Sequence, residues 1–146
     1  FARALPDLTV VANHIGGLMR GGPYANKADE VLAAWRNGIT DLASCPNVVM
    51  KLGGVGQPRY GFDWHTRETP IGSEELVDSL APLMNFCIRQ FGPERCMFES
   101  NFPPDKVSFS YNVLYNAFKR LSSSYSVTER AAMFHDNAVR VYGINA

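Results

Sequence analysis

Residues that build metal and redox centres are scarce in this chain, which has three histidines and three cysteines in 146 residues. No two histidines stand as His-x-His. Cys45, Cys87 and Cys96 are odd in number, lack ligand spacing and lie among apolar neighbours, which speaks against a local zinc motif and against a disulfide framework. They are expected to be reduced thiols of a cytoplasmic protein. An excess of one charge sign is missing too: 14 Lys and Arg balance 14 Asp and Glu, leaving nothing to attract nucleic acid or an anionic membrane. No apolar run approaches the roughly 20 residues of a membrane span, and no charged-then-apolar signal opens the chain. No short repeat and no low-complexity stretch occurs. What remains is 46% hydrophobic and 19% charged, the composition of an ordinary globular domain with one core. The chain opens at Phe1, without a methionine, in what reads as the tail of a helix ending at Pro6. The expectation is a fragment or processed product with an earlier part.

Three apolar runs read as strands: Thr9–Ala12, Val48–Leu52 and Cys96–Ser100. Each is short, rich in apolar residues and closed by glycine or proline. Between the first two, Val31, Leu32, Trp35, Ile39 and Leu42 form one helical stripe within about 25–44. Between the second and third, a helix begins near Ser73, a candidate N-cap followed by Glu74 and Glu75, and stops at Gly92-Pro93. Pro82 should kink this helix or restart it. A helix over about Tyr111–Ser122 follows. Ser126-Val127-Thr128-Glu129 has capping-box spacing for a short helix through Phe134, and Asp136 or Asn137 should cap a last turn, 138–142. Strand, helix, strand, helix, strand predicts parallel strands with open outer edges that something must cover. The 57–72 loop carries Tyr60, Phe62 and Trp64 and is expected to be ordered and functional.

Polar residues at the carboxyl ends of parallel strands converge on one rim, where α/β folds keep their chemistry. The candidates are His14, Lys51, Glu99 and Asn101. Alternation predicts one inward set of His14, Ala12 and Val10, a second of Lys51, Val49 and Gly53, and a third of Asn101, Glu99 and Met97. That phase brings Lys51 and Glu99 together as an ion pair near the floor of the site. His14 has three open readings: metal ligand, general acid or base, or a hydrogen-bonded strand-end histidine. His65 beside Trp64 is a candidate substrate contact, His135 a structural residue. Arg20, Arg59 and Arg67 lie in rim loops, where an arginine can hold a carboxylate in a fork.

Met97-Phe98-Glu99-Ser100-Asn101-Phe102-Pro103, followed by Asp105-Lys106, resembles the last-strand motif of the amidohydrolase-related (amidohydrolase 2) proteins, a group of TIM-barrel metal-dependent hydrolases. Asn13-His14-Ile15-Gly16-Gly17 is similar to that group's Asp-His-x-Gly strand end. Val49 to Gly54, Gly61-Phe62-Asp63-Trp64-His65 and Asn137-Ala138-x-Arg140-x-Tyr142 also fit. The resemblance covers essentially the whole chain. It implies an α/β fold in which residues 1–146 are the C-terminal portion, about strands six to eight with their helices, of a (β/α)8 TIM barrel domain.

By the same resemblance the activity is hydrolysis of lactones or amides, with decarboxylation in some relatives. A divalent metal such as zinc is implied, held by His-x-His on strand one and a histidine on strand five, both outside this chain, with His14 matching the strand-six histidine. Lactonase-like relatives that work without metal leave a metal-independent site equally open. Asn101 occupies the position of the aspartate that usually activates water. An amide cannot take a proton near neutral pH, so Asn101 is expected to orient water or substrate while Glu99 remains the acid of this strand. His14, Asn101 and Glu99 are thus the catalytic candidates. Lys51, Trp64, His65, Arg67 and Arg20 are the candidates for holding a small-molecule substrate. The remaining half-barrel or a second copy should cover the open edges, and the isolated chain should be inactive. A carboxylate-binding module on a degenerate barrel is the alternative.

Overall fold

The protein is described by a computed structural model over residues 1–144. Each of the three apolar runs forms a strand: β1 is Val10–Ala12, β2 is Val48–Gly53 and β3 is Cys96–Glu99. They make one parallel sheet in the order β1-β2-β3. Val11 lies opposite Val49, Lys51 opposite Met97, and Gly53 opposite Glu99. The crossovers are helical. α1 spans Ala28–Ala43, α2 spans Ser73–Phe91 and α3 spans Tyr111–Leu121, followed by α4 at Val127–Ala131 and α5 at Asn137–Tyr142.

The helices cover one face of the sheet. Trp35 and Ile39 from α1, Leu76, Leu80, Met84 and Cys87 from α2, and Leu114 and Phe118 from α3 are buried with Val48, Met50, Leu52 and Cys96 in a single core. Each such large side chain contributes about 1.5–3 kcal/mol by leaving water, which outweighs the weak local preferences of strands this short. Val49 and Met97 are buried as well but outside that core, because alternation sends them to the opposite face with Lys51 and Glu99.

That face carries a correction. The expected inward set of Val10 and Ala12 is instead packed against the helix-side core, and it is Val11 that pairs with Val49. β1 ends at Ala12, so strand alternation does not reach His14. His14 is turned inward by its own backbone, which is left-handed at φ 55.

Three helix boundaries also differ from the sequence pattern. Gly72, not Ser73, precedes the first turn of α2, and the Ser73 hydroxyl accepts from Arg120 Nε at 3.2 Å. α2 runs through Pro82 without a restart. The Ser126–Glu129 capping box forms as predicted. α4 does not stop at Phe134, however: it continues through a wide π turn, Ala132–Asp136, straight into α5, leaving no cap to make at Asp136 or Asn137. Asn137 is buried and donates to the carbonyls of Pro93 and Cys96, each at 2.8 Å. The opening residues form one 3-10 turn, Ala2–Ala4, held by Asn47, whose amide donates to the carbonyls of Ala2, Leu5 and Leu8.

The amino-terminal end of the sheet is braced by Arg95. Its guanidinium donates to the carbonyls of Phe91, Cys45 and Ala43 at 3.0, 2.9 and 3.0 Å. A cation at the carboxyl ends of α1 and α2 also opposes their dipoles. Stability is thus concentrated at one end of the strands, and the strained backbone lies at the other. Among the described residues no helix is long and apolar enough to cross a membrane, and Cys45, Cys87 and Cys96 are free and buried.

Candidate active site

Three strand ends build the site. After β1, Asn13 is extended, and then His14 and Ile15 both take left-handed φ values of 55 and 47. Such values are costly for non-glycine residues, most of all for a branched one. They persist because Ile15 is completely buried and its carbonyl accepts the Trp35 indole N–H at 2.6 Å. This anchor aims His14 away from the core and over the end of β2. Gly53 and Gly54 leave room there: a Cβ on Gly53 would run into the carbonyl of Glu99, and one on Gly54 would run into the His14 ring. Gly54 also has φ 68, which a side chain resists.

Glu99 is the hub. It is only 8% exposed, and both its oxygens are used. Oε1 accepts from the His14 backbone N–H at 3.0 Å and lies 2.6 Å from His14 Nδ1. Oε2 lies 2.7 Å from Lys51 Nζ. The predicted Lys51–Glu99 ion pair therefore forms, with Lys51 the more accessible partner at 24% of its side chain. A carboxylate beside Nδ1 favours the tautomer with the proton on Nδ1 and the lone pair on Nε2. His14 keeps 26% of its side chain exposed. The arrangement can therefore orient an imidazole base and hold its charge when it is protonated.

Asn101 stands beside this group in a second left-handed conformation, φ 52. Its side chain does not work alone. Asn101 Nδ2 donates to Asp105 Oδ1 at 2.7 Å, and the Gly56 N–H donates to Asp105 Oδ2 at 2.8 Å. The Ser108 hydroxyl donates to the Gly56 carbonyl, closing the network. Asp105 is fully buried. Burial pushes its carboxyl above the usual aspartate range, while the Gly56 N–H and the Asn101 amide oppose that rise.

Sequence reasoning noticed Asp105 only as part of a string and gave it no role. One signal was available: an acid four residues after Asn101, beyond two prolines that close the turn. The Asp105 N–H does donate to the Asn101 carbonyl at 3.2 Å, which brings the two side chains back together.

The remaining candidates are not gathered at Glu99. Trp64, His65 and Arg67 line a separate groove of about 280 Å³ with Lys106 and residues 108–110. Arg67 is paired with Glu75 at 2.6 Å. Arg20 donates to the Tyr60 carbonyl at 3.3 Å and lies 4.4 Å over the Phe62 ring, which stacks on Trp64. The 57–72 loop is ordered by these contacts and by burial of Tyr60 and Trp64. His135 lies exposed on the last helix, 2.8 Å from Asp136. A more apolar cavity of about 370 Å³, between Gly16–Met19 and α1, contains no charged residue or histidine.

These residues do not make a metal centre by themselves. Among the described residues no three His, Cys, Asp or Glu side chains are grouped to hold an ion. The oxygens of Glu99 and Asp105 are already taken by N–H groups and Lys51, so His14 Nε2 is the nitrogen left to offer.

A parallel sheet with its polar groups at the carboxyl rim is the arrangement of a barrel enzyme, and the amidohydrolase family model matches residues 1–144. The chain belongs to that family. It corresponds to a C-terminal part of the family's TIM barrel. It is 35% identical over 143 residues to the uncharacterized protein y4mH of Sinorhizobium fredii, covering 98% of this chain and 41% of that protein. It is 29% identical over 120 residues to the L-fucono-1,5-lactonase of Burkholderia multivorans, covering 82% of this chain and 38% of that one. An amidohydrolase crystal structure from Burkholderia multivorans with bound HEPES has a TM-score of 0.77 at 27% identity, covering 99% of this chain and 51% of its own. A second crystal form of the same target, with bound zinc, gives 0.76. The chain thus spans about half the length of these relatives or less.

Proposed function

We propose that this chain supplies the catalytic rim of a lactone hydrolase, acting within a complete barrel. The observation that carries the reading is Glu99, a buried carboxylate that touches both His14 Nδ1 and Lys51 Nζ. An imidazole held in this way is a suitable base near neutral pH. Family membership and the likeness to a lactonase support the reaction class.

In the proposed reaction His14 Nε2 takes a proton from water as the oxygen attacks the lactone carbonyl carbon. Glu99 stabilises the imidazolium so formed, and Lys51 holds the other carboxylate oxygen in place. The ring C–O bond then breaks, and the leaving oxygen receives the proton from His14, giving a hydroxy acid. Asn101 Oδ1 has no partner among the described residues and is not buried. In this reading it accepts the second hydrogen of the attacking water.

The residues found here do not fit a metal centre of their own. Should the complete barrel hold zinc, His14 Nε2 is the ligand this chain would contribute, and the other donors would come from outside residues 1–146. Trp64, His65, Arg67 and Arg20 are assigned to the approach of a small-molecule substrate rather than to the chemistry. The exposed edges of β1 and β3 are to be covered by the rest of the barrel, so this chain alone should not turn over.

The test is a panel of five- and six-membered aldonolactones, with matched amides, offered to the full-length protein and to His14→Ala and His14→Asn. Lactone hydrolysis that falls about 100-fold or more in both variants supports the assignment. Undiminished hydrolysis in the variants removes His14 from the chemistry. Tight carboxylate binding with no turnover of any lactone or amide would replace the hydrolase with a binding module.

A further inference from the structure

Behind Asn101 lies a second hydrogen-bond network, centred on Asp105 rather than Glu99. Asp105 has both oxygens occupied, one by the Gly56 N–H and one by the Asn101 amide. Gly56 packs directly against it: a Cβ there would lie 2.8 Å from Asp105 Cβ and 2.9 Å from Phe109 Cζ. A carboxylate accepts and an amide NH2 donates, so at 2.7 Å it is the nitrogen of Asn101 that faces Asp105. The amide oxygen is left pointing out of the network, unburied and without a partner among the described residues.

We propose that Asp105 is a positioning residue that fixes the Asn101 carboxamide with its nitrogen inward and its oxygen outward. The strand end then meets the reacting groups as a hydrogen-bond acceptor that carries no proton of its own. Such a group selects an O–H or N–H donor, either the attacking water or a substrate hydroxyl. The orientation of the amide follows from the network alone, while its use toward water rests on the hydrolase reading above.

Asparagine at position 101 is then no relic of a lost base. An aspartate there would set two carboxylates 2.7 Å apart, and like charges so close force the pair to share a proton. Beside Glu99 the rim has a second acid in the turn, Asp105, and an amide at 101 is the form that pairs with it without a shared proton. Exchanging the two residues preserves the logic. Asparagine at 105 can accept the Gly56 N–H with its oxygen and donate its NH2 to an aspartate at 101. Asp105→Asn alone keeps the contact only if the Asn101 amide turns over, so that its oxygen accepts the new NH2 and its own NH2 faces outward.

The experiment uses the full-length protein and four forms: wild type, Asp105→Asn, Asn101→Asp and the double exchange. Asp105→Asn should melt within about 2–4 °C of wild type at pH 7, because the turned amide keeps the contact, and should lower kcat about 10-fold or more, because the group facing outward becomes a donor. The double exchange should return to within about 1 °C of wild type. Asn101→Asp should lose stability steadily from pH 5 to pH 8 relative to wild type, as the pair is stripped of its shared proton.

A double exchange no more stable at pH 8 than Asn101→Asp overturns the proposal. So does an Asn101→Asp variant whose melting follows wild type across that pH range, a measurement that stands even where Asp105→Asn does not fold. A purely structural Asp105 would leave the pH profile of kcat unchanged in the double exchange. Placing a carboxylate at 101 should instead add an ionisation in the carboxylate range that wild type lacks, with KM moving less than kcat. Absence of turnover in wild type would sink the hydrolase reading while the melting cycle still decides the orientation of Asn101.

Discussion

Glu99→Gln is the sharpest single perturbation of this rim, because the shape is kept while the charge and one acceptor are lost. In the native site Oε1 serves two nitrogen contacts of His14, at 3.0 and 2.6 Å, and Oε2 faces Lys51 Nζ at 2.7 Å. A glutamine has one acceptor oxygen. With that oxygen toward His14, its NH2 points at the Lys51 ammonium, donor against donor. Removing one partner of a buried ion pair costs about 3–5 kcal/mol. Lys51 retains 24% exposure and can turn to water, so a value below that range, about 2–3 kcal/mol, applies. At about 2–4 °C per kcal/mol for a protein of 150–250 residues, melting should fall by roughly 5–10 °C. Turnover should fall by about 10²–10⁴, because among the described residues Glu99 is the group that fixes the His14 tautomer. Adding Lys51→Met removes the stranded ammonium and should recover a good part of the stability but none of the turnover. Scanning calorimetry and steady-state kinetics on the full-length protein decide it. A Glu99→Gln protein that melts within about 1 °C of wild type, or turns over normally, would refute the ion-pair account of this site.

Three further outcomes follow from other parts of the molecule. Gly54→Ala puts a Cβ into the His14 ring at a left-handed backbone position; it should cost about 1–3 kcal/mol and lower kcat more than the melting change explains, whereas a neutral substitution would contradict the packing of His14. Asn137→Ala strips donors from two carbonyls at the far end of the sheet and should cost about 2–4 kcal/mol while leaving kcat unchanged, as folded protein from a low-temperature assay would show. Burial pushes the Cys87 thiol up to about 12; because the thiolate is the disfavoured form, alkylation of native protein should stay slow through pH 9 and accelerate only on unfolding, and rapid labelling at pH 8 would show that α2 opens locally.

Much of this fold was legible in the chain because short-range patterns and long-range packing agree. The three strands were readable from apolar runs stopped by glycine or proline, and α1 and α2 from their stripes. The capping box at Ser126 was readable from spacing alone. Where the pattern misled, a tertiary contact had overridden a local one. Ser73 gives up the cap position to meet Arg120. Asn137 turns away from the helix it was expected to cap and braces β3. The phase of β1 was misassigned because alternation holds only along extended backbone, and the buried Ile15 anchor turns the chain left-handed immediately before the site.

By itself the sequence determined that the chain is parallel α/β, that its polar residues gather at the carboxyl ends of the strands, and that Lys51 and Glu99 share a face, since each follows from period, turn chemistry and charge. It also showed that Asn101 cannot act as a base. Only the tertiary structure decided what surrounds those residues. Glu99 became the hub because a left-handed turn 85 positions earlier brings His14 onto the same oxygen. Asp105 entered the site because a closed turn and the Gly56 backbone remove it from water. Burial and hydrogen-bond saturation are properties of the assembled neighbourhood, and no local pattern encodes them.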